Sequence, residues 1–428
     1  MNKKLKIILI SLCALVLVAA AAIIAVISAK NAAEVLPTPT PSPVATAEPT
    51  PTPTPEQKPE EAISATIAVG GDVVMHSGLN TEAKTDKGYD YVPIFGTLTE
   101  AVKAADYSVC SLVTTFAQGE KYSAFPFFKS PDALADSLAA VGFDMVNTAT
   151  SHALDSYKVG VDYTLDVLDA AGLAHVGTYR TPEERTAAKG ANIVDINGIS
   201  VAFMSYTCDT NRISASGFES AVNICTTDYL TGASSIDYDL ISADMASVRE
   251  SGADFIFVFM SWGKEFDAQP NDMQVSLADY LFTQGADIII GGHIRVPQHM
   301  ETREVTDING NVKTGYLCYS LGNLLSCQND AYTDISAIVN IELSKGKETG
   351  KTWISSVSYD PICMVDLYDY NINDYGWHYR LASLHGAIDA YDAGKPWDFM
   401  TEEIYTGMQS SLEKLHEYFG SELDAGGK

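Results

Sequence analysis

From about residue 62 onwards the apolar positions fall into two alternating patterns. Short continuous apolar runs occur at 63–69, 107–112, 144–148, 199–206, 254–260, 287–290 and 315–320. Runs of this length, bounded by turn-forming residues, predict strands buried on both faces. Between several of them the apolar spacing is helical. One helix is predicted to begin at Ser130-Pro131, to place Leu134, Leu138 and Val141 on one face, and to stop at Gly142. A second covers 161–171 and ends at Gly172; a third covers about 272–284 and ends at Gly285. Proline at the first helical position and glycine just past the last are the expected punctuation. Asn197-Gly198 and Asn309-Gly310 predict hairpin turns. The sum is an α/β fold with added antiparallel hairpins. After about Asp366 the chain becomes aromatic and helical, with Leu412, Leu415 and Tyr418 near one face. Residues 364–428 are therefore expected as a helical C-terminal appendage to a domain spanning 62–363.

The N-terminus follows a different rule. Lys3, Lys4 and Lys6 precede 23 residues, 7–29, with no charge. At about 1.5 Å of rise per residue that stretch reaches roughly 35 Å, enough to cross a bilayer once. Basic residues ahead of it favour an inside N-terminus. Residues 1–30 are thus expected to be a transmembrane anchor, single-pass in the cell membrane, with the domain extracytoplasmic. A cleaved signal peptide ending at Ile27-Ser28-Ala29 is the alternative. Residues 31–61 carry Pro-Thr repeats such as Pro37-Thr38-Pro39-Thr40-Pro41, which predict a stiff, extended linker.

Charge narrows the partners. The chain has 27 Lys and Arg against 55 Asp and Glu. Lys3, Lys4, Lys6 and Lys30 belong to the anchor region, which has no acid, so the outer part holds 23 bases against 55 acids, a net charge of −32. Such a surface repels nucleic acid and anionic lipid, and no basic stripe offsets it. Cys110, Cys208 and Cys318 sit in apolar runs and read as small buried hydrophobes. Cys225, Cys327 and Cys363 are free to pair, but no metal-type cysteine spacing is present.

Polar residues recur just beyond the strand ends, where open α/β sheets build sites. Asp72 follows Gly70-Gly71; His152 and Asp155 follow 144–148; Ser261, Trp262 and Glu265 follow 254–260; His293 follows Gly291-Gly292; Asn323 follows Leu321-Gly322. Singly, each is as readily a cap or a turn residue; together they point to one converging site. No GxSxG elbow, P-loop or GxGxxG fingerprint is present, which removes support for serine-hydrolase, NTPase and dinucleotide readings.

In order along the chain, Gly71-Asp72-Val73-Val74-Met75, Gly142-Phe143-Asp144-Met145-Val146-Asn147 running to His152-Ala153-Leu154-Asp155, Ser261-Trp262-Gly263-Lys264-Glu265, Pro270 with Gln274, Gly285-Ala286-Asp287 running to Gly291-Gly292-His293, and Tyr319-Ser320-Leu321-Gly322-Asn323 resemble the bacterial capsule-synthesis protein CapA family. That family is associated with poly-γ-glutamate capsules and is related to the calcineurin-like metallophosphoesterases. The resemblance spans roughly 64–361. It implies a metallophosphoesterase-like layered β-sandwich flanked by helices, with an N-terminal transmembrane helix.

The sequence departs from the family pattern at several ligand positions. His76-Ser77 stands where the first motif continues to an arginine. Ser111-Leu112-Val113 replaces Asn-Leu-Glu, and Thr150-Ser151-His152 replaces Asn-Asn-His. Ser261 replaces the histidine of His-Trp-Gly, and His293-Ile294-Arg295 replaces His-Pro-His. Of the implied metal ligands Asp72, His152 and His293 survive, enough for at most one weakly held divalent ion (manganese, iron or zinc). The resemblance with these losses implies binding or guiding of an anionic envelope polymer, with Arg295, Ser261, Asn323 and His76 as ligand-binding residues. Arg295 would stand in for the lost cation, or would pair with an acid such as Glu301. An active metal-dependent, phosphoesterase-like hydrolase is one alternative, with Asp72, His152 and His293 as metal ligands, His76 or Glu265 completing the set, and His152, Asp155 and Glu265 as catalytic residues. A structural role beside membrane-bound capsule synthesis proteins is another.

Overall fold

Most strands are apolar on both faces, and the fold covers both. The computed structural model describes residues 60–427, apart from 117, 118 and 120. Its two main sheets have eight and six strands. In chain order these are β1 (Ala62–Val73), β2 (Tyr107–Leu112), β3 (Met145–Asn147), β4 (Ala174–Val176), β5 (Ala191–Ile196), β6 (Ile199–Thr207), β7 (Phe255–Ser261), β8 (Ile288–Gly292), β9 (Pro297–Thr306), β10 (Val312–Leu321), β11 (Asn323–Leu325), β12 (Ile335–Gly346), β13 (Thr352–Asp366) and β14 (Tyr379–Ser383). The larger sheet runs β14-β13-β12-β1-β2-β3-β4, with β11 also paired to β1. The smaller runs β9-β10-β8-β7-β6-β5. Strands β1 to β4 are parallel, as are β6, β7, β8 and β10. The long strands β12 and β13 and the edges β5 and β9 run antiparallel to their neighbours.

Alternation along each strand sorts side chains into layers. Ile67, Val69 and Val109 of the larger sheet share one buried cluster with Phe203, Phe257 and Ile290 of the smaller. The intervening residues Ala68, Cys110 and Val146 pack instead with Leu134, Leu138 and Leu165 of α1 (Ala133–Val141) and α2 (Tyr157–Ala171). On the far side, Met204, Val258 and Ile289 pack with Ile241, Met245 and Leu277 of α3 (Tyr238–Arg249) and α4 (Asp272–Thr283). The order of layers is helix, sheet, sheet, helix: an α/β sandwich. Each fully buried Leu, Ile or Phe contributes about 1.5–3 kcal/mol, so this double burial explains why the strands read as unbroken apolar runs.

The local signals correspond to specific geometry. Gly142 and Gly172 cap α1 and α2 in the left-handed conformation, with φ of 116° and 77°. Asn197 and Gly198 both have positive φ, and Ile196 and Ile199 pair across them. That is the turn whose twist matches the strands it joins. Helix α1 starts later than the Ser130-Pro131 signal. Ser130 belongs to a short two-residue strand, and its hydroxyl shares a hydrogen bond with Thr114 Oγ1 at 2.8 Å. Asp132 takes the N-cap position.

The stretch expected as a helical appendage begins instead inside the larger sheet. β13 runs on to Asp366, and β14 pairs along it as the edge strand. Helices α5 (Leu384–Asp392) and α6 (Glu402–Phe419) follow. Ile404, Met408, Leu415 and Phe419 of α6 join the cluster between the sheets. The apolar face of β12 and β13 requires that cover, so this segment is structural. The anchor and linker read from the sequence lie outside the described residues. Among the described residues no helix is long and apolar enough to cross a membrane.

The chain passes from the larger sheet to the smaller between β4 and β5 and returns between β10 and β11. The chain leaves β10 of the smaller sheet at Leu321, turns at Gly322 (φ 77°), and enters β11 of the larger. There Asp72 N donates to Gly322 O at 3.0 Å. The C-terminal ends of β1 and β8 come together at this crossing.

Candidate functional site

Close approach of three backbone segments creates the centre of the site. A Cβ on Gly71 would lie 2.2 Å from the Gly322 carbonyl oxygen, and one on Gly292 would lie 2.5 Å from Asp72 Oδ1. Only glycine permits that packing. Asp72 is left 2% exposed. Its Oδ2 accepts a hydrogen bond from His293 N at 2.8 Å, and Arg295 Nη1 stands 3.5 Å from the same oxygen. His293 and Arg295 have φ of 81° and 73°, a region that residues with a Cβ seldom occupy. This turn brings a backbone N–H and a guanidinium to one carboxylate. Burial pushes the Asp72 carboxyl above its ordinary pKa, while the Arg295 charge and the His293 N–H pull it back.

Arg295 is itself 3% exposed. Its Nε donates to Glu265 Oε1 at 3.1 Å. Glu301, the neighbour suggested by sequence, faces Arg303 at 3.5 Å. Arg295 Nη1, Ser261 Oγ and Asn323 Oδ1 are buried without a hydrogen-bond partner. All three belong to one place: Asn323 lies opposite Asp72 in the larger sheet, and Ser261 opposite Gly292 in the smaller. Buried polar atoms are rarely left unsatisfied, and a cluster of them at strand ends is characteristic of a binding site. Ser111, by contrast, is engaged, accepting from Asn147 Nδ2 at 2.5 Å.

The histidines form a second tier. His152 Nδ1 lies 2.8 Å from Asp155 Oδ2, and that carboxylate also accepts from Phe128 N at 2.6 Å and Asn211 Nδ2 at 3.0 Å. His293 Nδ1 contacts Ser151 Oγ at 3.2 Å, and its Nε2 lies 3.7 Å from Asp209 Oδ2. His76 Nδ1 contacts Ser326 Oγ at 3.2 Å. Burial, then the charges of Arg295 and His152, lower the His76 pKa from 6.5 to about 4. The ring is therefore neutral at physiological pH.

Two adjoining cavities open onto these groups. One, about 260 Å³, is lined by Ser151, His152, Asp209, Asn211, Arg212 and His293. The other, about 240 Å³, is lined by His76, Phe128, His152, Glu265, Arg295 and Gln328. His152 and Glu265 border both. Of the sequence-derived residues, His76, His152, Glu265, His293 and Arg295 line these cavities, whereas Asp72, Asp155, Ser261 and Asn323 do not. Sequence reasoning missed Asp209, Asn211, Arg212 and Ser151. Asp209 lies just beyond the end of β6 and obeys the strand-end rule; the loop residues carry no periodic signal. A larger, aromatic cavity of about 730 Å³ lies elsewhere, beside Trp377 and Trp397, and holds none of this chemistry.

The residues present do not fit a metal centre built on Asp72, His152 and His293. Asp72 is taken up by Arg295 and by the backbone of His293, while the two rings face Asp155, Ser151 and Asp209. Among the described residues no group of three or more His, Cys, Asp or Glu is placed to hold a metal ion. A guanidinium beside the Asp72 carboxylate also opposes a cation there. Two unit charges 4 Å apart repel by about 4 kcal/mol at an effective dielectric of 20.

The layers and the strand-end cleft define an α/β sandwich protein whose polar site lies where its two sheets cross. Residues 66–328 match the family described as bacterial capsule synthesis protein PGA_cap, and the chain belongs to that family. It is similar to the PGA biosynthesis protein CapA of Bacillus subtilis (strain 168), with 32% identity over 208 residues, 49% of each chain. It is also similar to the capsule biosynthesis protein CapA of Bacillus anthracis, with 25% identity over 294 residues, 67% of this chain and 66% of that one. The chain thus spans about half the length of the first relative and about two-thirds of the second. Among solved structures, a calcineurin-like phosphoesterase, YfkN, from Bacillus subtilis aligns over 84% of this chain and 99% of that one, at 12% identity and a TM-score of 0.37. A phosphatase from Mycoplasma pneumoniae aligns over 71% and 95%, at 11% and 0.40. Both likenesses are too distant to bear on function.

Two outcomes follow from the electrostatics. Arg295→Met leaves the Asp72 carboxylate buried without its cation and is expected to cost roughly 3–5 kcal/mol in urea denaturation. Adding Asp72→Asn to that variant is expected to restore most of the loss. For His76 the folded-state pKa lies below the unfolded one, so the unfolded chain binds more protons between pH 6.5 and about 4. Its contribution is fully present above pH 6.5 and is lost as the pH falls through that window. A His76→Gln variant should lose less stability over the same range, as read from denaturation midpoints at each pH.

Proposed function

We propose that this domain works in capsule or envelope polymer biosynthesis by holding an anionic segment of the polymer in the cleft around Arg295. The supporting observation is the buried guanidinium whose Nη1 has no hydrogen-bond partner, with Ser261 Oγ, a second unpartnered donor, at the end of β7, the strand paired with β8. A carboxylate or phosphate oxygen satisfies such a donor with a charge-assisted hydrogen bond. Glu265, more than a third exposed at its side chain, can swing off Arg295 to admit it. The name of the Bacillus subtilis relative refers to PGA biosynthesis, and a poly-γ-glutamate-like chain bears one carboxylate per residue. The 7–29 apolar stretch and the Pro-Thr linker support an outward placement on the cell membrane, near membrane-bound capsule synthesis proteins.

Hydrolysis is the second reading. It is favoured by the 2.8 Å contact of His152 Nδ1 with Asp155, the arrangement of an oriented general acid or base.

Calorimetry with short γ-linked glutamate oligomers separates these readings. Arg295→Lys keeps the charge but loses the guanidinium fork, and is expected to weaken binding about tenfold, or ~1.4 kcal/mol. Equal affinity in wild type and Arg295→Lys would sink the holding role. Cleavage of the oligomer that His152→Ala abolishes would establish the second reading.

A further inference from the structure

Cys208 and Cys225 are both buried, and their sulfurs lie 3.4 Å apart. The segments that carry them run side by side. Cys225 N donates to Thr207 O at 2.9 Å, and Thr207 N donates to Asn223 O at 3.0 Å. Thr226 Oγ1 donates to Cys208 O. A disulfide of about 2.05 Å needs a closure of roughly 1.4 Å, within reach of modest χ1 rotation on adjacent extended segments. Among the described residues this is the one contact between two cysteine sulfurs.

The chain between the two cysteines feeds the cleft. Asp209 faces His293, and Asn211 donates to Asp155 Oδ1 and to Pro126 O. Arg212 lines the same cavity. Asn211 and Arg212 have φ of 51° and 62°. A turn of that kind persists only where its surroundings hold it.

We propose that Cys208 and Cys225 form a disulfide in the mature protein, closing the loop that presents Asp209, Asn211 and Arg212 to the cleft. The two positions are 17 residues apart, a span at which a cross-link removes substantial freedom from the unfolded chain. The proposal rests on the outward placement argued above, since disulfides persist in oxidising surroundings. The oxidant is a small-molecule or protein disulfide. The thiolate of one cysteine attacks it, forming a mixed disulfide and expelling one thiolate; the second cysteine thiolate then displaces the other. The two cysteines lose two electrons and two protons, and the oxidant gains them as two thiols. Because both sulfurs are buried in the folded domain, closure occurs during folding.

The test is to refold the full-length chain in a glutathione redox buffer, quench with acid, block free thiols with N-ethylmaleimide in denaturant so that buried cysteines react, and map the digest by mass spectrometry. The expected result is a Cys208–Cys225 linked peptide, with Cys110, Cys318, Cys327 and Cys363 alkylated. Alkylation of both Cys208 and Cys225 throughout overturns the proposal. The same mapping on protein blocked in intact cells separates its two supports. A bond that forms in the buffer but is missing from cells overturns the outward placement on which the proposal rests, and leaves the Arg295 binding result untouched. Reduction of the linked protein is expected to speed hydrogen exchange several-fold across 209–224; unchanged exchange overturns the loop-fixing role.

Discussion

A carboxylate buried to 2% exposure at the crossing of two sheets has to be paired or it takes up a proton. Asp72 is paired by Arg295 and by the backbone N–H of His293, and much of the local structure follows from that requirement. Gly71 and Gly292 have no side chain because the carboxylate and the Gly322 turn occupy the space a Cβ would need. His293 and Arg295 accept left-handed backbone so that both can reach one side chain. The strain is held by the sandwich on either side, whose strands are anchored by apolar residues on both faces.

The same pairing decides what the cleft can do. A guanidinium is a fixed charge that cannot be exchanged or lost to a chelator, and its planar fork suits oxygen anions. Its second partner, Glu265, is the more exposed of the two acids and holds Nε, while Nη1 faces Asp72 at 3.5 Å and has no hydrogen-bond partner, so neither end of the fork is closed to a further oxygen. Ser261 Oγ, at the end of β7, is a further unpartnered hydroxyl, and His76, His152 and His293 supply polar ring nitrogens along the cleft walls. An acidic domain surface repels a polyanion at long range. In the holding role proposed above, a deeply placed arginine would give such a polymer one place to dock without capturing it along its length.

The sequence revealed most where burial is two-sided. The strands 107–112 and 199–206 read within a residue of their true ends because every position in them is apolar or small, and Gly142 and Gly172 mark helix ends by conformation. The long strands β12 and β13 were not legible as such. Residues 352–358 of β13 are exposed or half-buried, Ser355 and Ser356 among them, and β12, though covered throughout, is interrupted by Ser336, Asn340 and Glu342; neither carries a continuous apolar signal. That omission made residues 364–428 look like an appendage when they extend and cover the sheet. For the site, position beyond a strand end identified Asp72, His152, His293 and Asn323. Partners were another matter: the pairing of Arg295 with Asp72 spans more than 200 residues of chain, and no local pattern encodes it. The Cys208–Cys225 contact was hidden for a similar reason, since one cysteine sits just past an apolar strand and the other in a loop.

The account turns on a guanidinium occupying the place where a divalent cation would otherwise balance Asp72. Metal content measures this most directly. Full-length protein purified without chelator and dialysed should carry well under one equivalent of manganese, iron and zinc by inductively coupled plasma mass spectrometry. Retention of one or two equivalents, released only when Asp72 is replaced by asparagine, would contradict it.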